Sequence, residues 1–187
     1  MANTRSVTTF TERFESLASP RTRQVVGVLT FTVLTALAAR ISLPIPGTVV
    51  PFTFQPLAVL LAGALLGARL GAASQVLYLA AGIAGLPVFA LGLLLGPSGG
   101  YLMAFPVAAF VAGSLVGSSI FRNLLALLAG LAVIYAGGVA WLSLLTGWRV
   151  AIATGLLPFL LPDLVKVGMA VVITARLRDR SHSLFAG

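Results

Sequence analysis

The stretch from Leu70 to Phe121 contains no Asp, Glu, Lys or Arg, and this feature most restricts how the chain can fold. A membrane-spanning helix needs roughly 20 apolar residues, so the stretch has room for two crossings and a connecting loop. Across all 187 residues, 9% are charged and 59% are hydrophobic. Soluble domains usually carry about 25% charged residues. The sequence therefore predicts an all-α integral membrane protein.

Six apolar segments are separated by breaks that contain Pro, Gly or Arg. They cover approximately Gln24–Ile41, Phe54–Gly67, Gly71–Phe89, Tyr101–Phe121, Asn123–Leu145 and Pro158–Leu177. We expect six transmembrane helices in one membrane domain over residues 24–180. A cytoplasmic segment, 1–23, precedes this domain and a cytoplasmic tail, 181–187, follows it. Residues 1–23 are predicted to form either a short interfacial helix or a disordered segment.

The arginines that give the chain its net charge of +8 indicate how it is oriented in the membrane. They lie at the ends of apolar runs. In a nucleic-acid-binding protein they would be clustered with aromatic residues on one face. If both termini are in the cytoplasm, only Arg40 and Arg149 lie on the outer side of the membrane, and Lys166 lies inside a predicted span. The arginines on the inner side are then Arg5, Arg13, Arg21, Arg23, Arg69, Arg122, Arg176, Arg178 and Arg180.

The outer connections of this topology, Ser42–Thr53, Ala90–Gly100 and Thr146–Leu157, are long and rich in Pro, Gly and apolar residues. The prolines of Ser42–Thr53 prevent a helix, and a water-exposed loop is rarely so apolar. We predict that this segment is a lid over a site on the outer face. A loop that merely packs among lipid head groups is the alternative.

Asp163 and Lys166 are the only acid and the only lysine in the six apolar segments. Pro162 is predicted to be the first helical residue of the last span, which places the pair in its opening turn, on one face. A charge inside a membrane costs roughly 2.5–3.5 kcal/mol, which favours a functional role. We expect Asp163 to accept N–H groups of a ligand, while Lys166, aided by the helix dipole, neutralises Asp163 or meets an anionic group. A self-neutralising pair that anchors a helix end is the alternative.

Two glutamines in the apolar segments are further candidates for ligand contacts. Gln55 directly follows the proline-rich loop, and Gln75 lies one turn before Tyr78. An amide both donates and accepts hydrogen bonds, which suits a cyclic urea or amide ligand. For Gln75 the alternative is a hydrogen bond between helices, a common role of Gln in membranes.

The run Gly96–Tyr101 resembles a phosphate-binding loop, but it lacks the Gly-Lys-Ser/Thr ending of a nucleotide site. We therefore do not expect the chain to hydrolyse ATP. Ser98 and Gly99 of this run are included in the predicted site, because glycine lets a ligand approach the main chain and Tyr101 offers a ring and a hydroxyl. A simple turn with an interfacial tyrosine is the alternative. Phe89 is predicted to be either pocket wall or packing.

Metal chemistry and a bound cofactor are not expected. The chain has no cysteine, and its single histidine, His182, lies in a polar tail without other metal-ligand residues beside it. A membrane enzyme is also disfavoured, because the spans contain no histidine and no identifiable catalytic dyad. Small residues spaced by four, such as Gly63/Gly67 and Gly113/Gly117, are interpreted as internal helix packing.

Together these segments resemble the BioY family, the biotin-binding S components of energy-coupling factor (ECF) vitamin transporters. The sequence departs from the family pattern at Ser98, where Thr is usual, and at Leu161, where Gly is usual, and the amino-terminal extension lies outside the resemblance. The motifs that carry it are Leu43–Pro46, Val50–Gln55, Gly63 to Gly67, Gly71 through Tyr78, Gly85–Phe89, Gly96–Tyr101, Pro158-Phe159, Pro162-Asp163 and Lys166.

The resemblance implies a six-helix protein in the cell membrane of a prokaryote that binds biotin from outside. It also implies a transmembrane coupling subunit and two cytoplasmic ATPase subunits as partners, with docking through Thr32 and Ala36, where S components show an AxxxA-like pattern. A secondary transporter or channel for another small solute, with Asp163 as coupling site, is the alternative. Inverted repeats would favour that alternative, but the two halves show no matching broken helices.

Overall fold

The computed structural model describes residues 19–90 and 94–185, which form seven helices and one two-stranded hairpin. The expectation for residues 1–18 lies outside these ranges, as do residues 91–93 of the second outer connection. The helices are α1 (Pro20–Arg40), α2 (Gln55–Leu66), α3 (Ala68–Ile83), α4 (Gly99–Leu115), α5 (Ile120–Thr146), α6 (Trp148–Gly155) and α7 (Leu157–Phe185). The strands are β1 (Ser42–Leu43) and β2 (Phe52–Thr53), which pair antiparallel.

Within the described ranges, three helices are long and apolar enough to cross a membrane. They are α1, α5 and the part of α7 from Leu157 to Arg178. The helices α2 and α4 are apolar but shorter, with 12 and 17 residues. Apart from the short hairpin, the described part of the protein is therefore built from helices, three of which can span a membrane. Six crossings, formed by α1 to α5 and α7, stay a prediction.

Local sequence signals determine where several of these helices begin. The side chain of Ser19 accepts a hydrogen bond from the main-chain N–H of Thr22, and Ser119 does the same for Arg122 at the start of α5. Each serine satisfies an N–H that has no partner inside the helix. Gly67 joins α2 to α3 in a single residue with a positive φ of 82°, which a residue with a Cβ rarely adopts.

Glycines bring α2, α3 and α4 into direct main-chain contact. A Cβ at Gly63 would overlap the main chain of Ala109 in α4, and one at Gly71 would overlap the main chain of α2. A Cβ at Gly113 would overlap the main chain of Ala68 at the start of α3. The prediction of internal packing is confirmed for Gly63, Gly71 and Gly113. It is wrong for Gly67, where a Cβ would meet nothing within 4 Å.

Large apolar side chains cover much of the outer surface. Val33 and Leu37 of α1, Val107 of α4 and Val165 of α7 are all exposed. In water such a surface would be unfavourable, but in a bilayer the surrounding lipid is equally apolar. The surface of the protein therefore agrees with the membrane environment that its composition predicts.

Two of the expected segments end earlier in the structure, and one outer connection contains a helix. The third helix ends at Ile83 and not at Phe89, because Gly85 adopts a positive φ and starts a turn. The fourth ends at Leu115, and the chain breaks before α5 begins at Ile120. The third outer connection contains the short helix α6. The proposed domain boundaries at 23/24 and 180/181 fall inside α1 and α7.

The prediction that Pro162 starts the last helix is wrong. Helix α7 begins at Leu157, so Pro162 lies inside it, one turn after Pro158. Pro162 has no N–H to donate to the carbonyl of Pro158, yet the residues on both sides stay helical. Asp163 and Lys166 consequently lie beyond the opening turn. The helix dipole acts mainly within that turn and contributes little to them.

Candidate ligand-binding site

One pocket gathers most of the residues that sequence analysis selects. It lies between the end of the hairpin and the helices α2, α4, α5 and α7, with the turn around Phe89 closing one side. Its lining consists of Val50, Pro51, Thr53, Gln55, Pro56, Phe89, Ala90, Ser98, Tyr101, Leu102, Phe105, Ile134, Tyr135, Phe159, Asp163 and Lys166. Apolar walls therefore surround a small set of polar groups, as in most small-molecule sites.

An ion pair lies at the polar end of this pocket. The ammonium of Lys166 donates to Oδ1 of Asp163 at 2.5 Å, and the residues are 3% and 4% exposed. The spacing of three residues along α7 brings them together, as predicted. The hydroxyl of Tyr135 in α5 donates to Oδ2 of the same carboxylate at 2.7 Å. Both oxygens of Asp163 are thus held by donors from two different helices.

Lys166 also contacts the hairpin. Its ammonium donates to the main-chain carbonyl of Thr53 at 2.5 Å and lies 3.7 Å from the centre of the Phe52 ring. The carbonyl and the ring face both stabilise a positive charge, so the ammonium is surrounded by favourable partners. Through these contacts α7 holds the end of the proline-rich loop in place.

Gln55 is fixed by hydrogen bonds on both atoms of its amide. Its Nε2 donates to the hydroxyl of Tyr78 at 2.6 Å, and its Oε1 accepts from the hydroxyl of Thr53 at 3.2 Å. Tyr78 in turn donates to the carbonyl of Val88 and packs edge-on against Phe89. Gln55 and Phe89 line the pocket, whereas the fully buried Tyr78 lies behind them and orients them.

The turn before α4 contributes one uncommitted hydroxyl. Within the described ranges, the buried Oγ of Ser98 has no hydrogen-bond partner, although it lies at the pocket. A buried hydroxyl without a partner is costly, so a polar ligand group there would be stabilising. The hydroxyl of Tyr101 is already committed, because it donates to the carbonyl of Gly155 at 2.7 Å. Tyr101 therefore offers the pocket its ring.

Besides Tyr78, two further residues predicted for the site, Gln75 and Gly99, do not line this pocket. Gln75 is fully buried at the contact between α3 and α1, where its Nε2 donates to Thr35 at 3.2 Å and to Ser74 at 3.0 Å. The alternative interpretation, a hydrogen bond between helices, describes its position. A Cβ at Gly99 would overlap the carbonyl of Leu94. Glycine at that position serves close packing of the turn and not approach to the pocket.

Thr32 and Ala36, predicted to dock a partner, are half-buried on one edge of α1. The hydroxyl of Thr32 shares its one proton between the carbonyls of Val28 and Ser74, both at 2.9 Å. Ala36 packs against the central core. The edge that they form adjoins α3 and stays partly open at the surface.

Tyr135 and Thr53 were not predicted as site residues from the sequence. Tyr135 is 28 residues from Asp163, and only the packing of α5 against α7 brings the two together. One signal was present, because Tyr135 is the single tyrosine of the long apolar run Asn123–Leu145. A hydroxyl inside a membrane helix requires a partner, which marks it as a candidate for a polar site.

The polar groups of the pocket retain capacity for a ligand. An ammonium has three N–H donors, and within the described residues Lys166 uses two of them, on Asp163 and Thr53. A carboxylate accepts about four hydrogen bonds, and Asp163 receives two from the same described part of the chain. The pocket can therefore bind a compact ligand that carries both N–H and C=O groups on an apolar body.

Comparison with known proteins identifies the family of the chain. A model of the BioY family matches residues 6–183, so the expectation that the amino-terminal extension lies outside the family pattern is wrong from residue 6 onward. A protein of Pyrococcus horikoshii named probable biotin transporter BioY is 42% identical over 166 residues, which cover 86% of this chain and 99% of that protein. The biotin transporter BioY of Thermotoga maritima is 39% identical over 164 residues, covering 83% and 96%.

A solved structure shows the same architecture. The crystal structure of the S-component for biotin from an ECF-type ABC transporter superposes with a TM-score of 0.75 and 26% sequence identity. The superposition covers 96% of this chain and 95% of the other. Since the family model spans nearly the whole chain and relatives above 30% identity match it almost end to end, the chain belongs to the BioY family.

Proposed function

We propose that the chain captures biotin at the outer face of a cell membrane, as the substrate-binding S component of an ECF transporter. The observation that carries this proposal is the buried Asp163–Lys166 pair, which lies in an apolar pocket with hydrogen-bonding capacity to spare. Biotin supplies the complement, because its ureido ring has two N–H donors and one carbonyl on an otherwise apolar bicycle. The relatives named biotin transporters support the same ligand.

We expect the ureido ring of biotin to lie at the charged end of the pocket. Asp163 accepts one ureido N–H, and the remaining N–H of Lys166 donates to the ureido carbonyl. Ser98 and the amide of Gln55 lie on the same lining and supply further polar contacts. Phe105, Ile134 and Phe159 form apolar walls for the fused ring. No bond is made or broken in this arrangement, so the role is binding and not catalysis.

The proline-rich segment Ser42–Thr53, called the lid from here on, covers the occupied pocket. Val50 and Pro51 of the lid already line the pocket, and Val50 is buried. The contact of Lys166 with the carbonyl of Thr53 links the lid to the ligand-binding helix. Ligand exchange then requires the lid to move away from α7.

The lid faces the outside if both termini are cytoplasmic. Positive residues are retained on the cytoplasmic side of membranes, and Arg69 and Arg122 mark the two short connections on that side.

The chain binds the ligand but does not supply the energy for transport. A transmembrane coupling subunit and two cytoplasmic ATPase subunits supply it. Docking to the coupling subunit uses the edge of α1 at Thr32 and Ala36.

Calorimetry on the purified full-length protein tests this proposal with two ligands. Biotin should bind at one site, whereas lipoate, which has a similar carboxylate chain and a sulfur ring but no ureido group, should bind at least a hundredfold more weakly. Equal affinity for the two compounds would contradict recognition of the ureido ring. Lack of biotin binding by a folded protein would contradict the function itself.

A further inference from the structure

Among the residues that the structure describes, Tyr135 is the one tyrosine whose hydroxyl bonds a carboxylate. It lies near the middle of α5, is buried, and donates to Oδ2 of Asp163 at 2.7 Å. The other two tyrosines serve different partners: Tyr78 orients Gln55, and Tyr101 bonds the carbonyl of Gly155. Each hydroxyl therefore has a defined and separate task.

A phenol has only one proton to donate, and Tyr135 has committed it to Asp163. That proton therefore acts on a ligand N–H only by orienting the carboxylate. The phenol oxygen can still accept a ligand N–H directly, and such a contact would give the same factor with and without the Asp163 carboxylate. Lys166 holds Oδ1 from within α7, and Tyr135 holds Oδ2 from α5. With one donor on each oxygen, the carboxylate plane is constrained, and each oxygen keeps capacity for one further hydrogen bond.

We propose that Tyr135 is a positioning residue that aligns the Asp163 carboxylate for a ureido N–H and so determines selectivity for that group. The inference rests on the proposed function, because it assumes that biotin occupies this pocket. Without the hydroxyl, Lys166 alone orients the carboxylate, which can then turn toward the ammonium and away from the ligand. A variant without the hydroxyl then loses affinity for a ligand whose ureido N–H bonds the aligned oxygen. It does not lose affinity for a ligand that lacks this N–H.

A double-mutant cycle with Asp163→Asn tests the coupling, with biotin affinity of the full-length protein measured by calorimetry. Tyr135→Phe should weaken binding about tenfold in the wild-type background and less than about threefold in the Asp163→Asn background, since contacting residues are not additive. Tyr101→Phe is the matched control, because it also removes a tyrosine hydroxyl from the pocket lining. The hydroxyl of Tyr101, however, bonds a main-chain carbonyl and not Asp163. The effect of Tyr101→Phe should be the same factor in both backgrounds.

A second measurement separates positioning from a general loss of structure. Biotin methylated on one ureido nitrogen, tested as both isomers, lacks one of the N–H donors. Wild-type protein should discriminate against the isomer whose methylated nitrogen would face Asp163, and Tyr135→Phe should reduce that discrimination. A merely structural effect would weaken biotin and both isomers by one common factor, which would overturn the proposal.

The wild-type result keeps this inference distinct from the proposed function. If the wild-type protein does not bind biotin, both fail; if it binds biotin and Tyr135→Phe binds equally well, only the positioning role is overturned. Equal factors for Tyr135→Phe in the two backgrounds would also overturn it. Should Tyr135→Phe fail to fold, Tyr135→His is compared with Tyr135→Leu. The histidine variant keeps an N–H donor and should bind biotin more tightly than the leucine variant. Equal affinities of the two variants would overturn the proposal.

Discussion

The ammonium of Lys166 donates to the main-chain carbonyl of Thr53 at 2.5 Å, and so joins the end of the lid to the helix that carries Asp163. The Phe52 ring lies over the same ammonium, 3.7 Å from its centre. Lys166 therefore contacts the lid and the Asp163 carboxylate at once. A ligand that engages Lys166 also affects how firmly the lid is held.

Loosening the lid should speed ligand release. Replacing Pro44, Pro46 and Pro51 together by Gly gives the unbound lid more conformations, so closing it costs more entropy. We expect the dissociation rate of biotin to rise about tenfold with a smaller change in the association rate, as is usual within one binding site. Stopped-flow or filter-binding kinetics with labelled biotin measure both rates. An unchanged dissociation rate in the folded variant argues against a lid.

Two neighbouring valines supply a matched control for the lid. Val50 is 7% exposed and lines the pocket, whereas Val49 is 57% exposed. Val50→Ala removes apolar contact from the closed lid and should raise the dissociation rate, while Val49→Ala should not. Equal effects of the two substitutions would indicate a nonspecific change in the loop.

Asp163→Asn should weaken biotin binding at least a hundredfold. The substitution removes the charge that Lys166 and Tyr135 both face, and it leaves the buried ammonium without its counter-ion. Loss of one partner of a buried pair costs roughly 3–5 kcal/mol, and each decade of affinity corresponds to about 1.4 kcal/mol. Wild-type affinity in this variant, measured by calorimetry, would remove Asp163 from the site.

Gln55 and Gln75 form a natural pair for separating binding from stability. Both are buried, but Gln55 lines the pocket and Gln75 bonds Thr35 between α3 and α1. Gln55→Leu should lower biotin affinity at least tenfold, since it removes a polar contact and releases Tyr78. Gln75→Leu should lower the thermal stability, because a hydrogen bond between membrane helices contributes about 0.6 kcal/mol, while affinity changes less than about threefold.

The measurements are a thermal-shift assay and calorimetry on both variants. A large loss of biotin affinity in Gln75→Leu with unchanged thermal stability would show that Gln75 belongs to the binding site. Unchanged affinity in Gln55→Leu would show that the amide only shapes the wall of the pocket.

Features that depend on short sequence separations were predictable. The apolar segments follow from composition, and the Asp163–Lys166 contact follows from a spacing of three on a helix. The proline at 162 misled the prediction because proline is usually found at helix starts. Here Pro158 takes the position near the start, and α7 tolerates a second proline one turn later.

Features that depend on helix packing were not predictable from one sequence. Gln75 and Tyr78 are three residues apart on α3, yet Tyr78 bonds Gln55 of α2 and Gln75 bonds Thr35 of α1. Hydropathy does not reveal which neighbour each side faces, because almost every side of these helices is apolar. The contact between Tyr135 and Asp163 was missed for the same reason.

Docking to the coupling subunit should depend on the small residues at the edge of α1. By spacing alone Gly63/Gly67 would serve equally well, but Gly63 is packed against Ala109 inside the protein, which leaves Thr32 and Ala36 as the partly open pair. Helix faces of this kind associate through close main-chain approach, so added bulk should block them. Ala36→Trp should therefore reduce co-purification with the coupling subunit at least tenfold, while biotin affinity of the isolated variant stays within about threefold of wild type.

Val107→Trp is the matched control, because it adds bulk to the exposed surface of another helix, α4, and should assemble normally. Ala36 also packs against the core, so Ala36→Val, a smaller increase in volume, separates docking from folding. Graded loss of assembly from Val to Trp with preserved biotin binding supports the edge of α1 as the docking surface. Normal assembly of Ala36→Trp would place that surface elsewhere, and so would an equal loss in Val107→Trp.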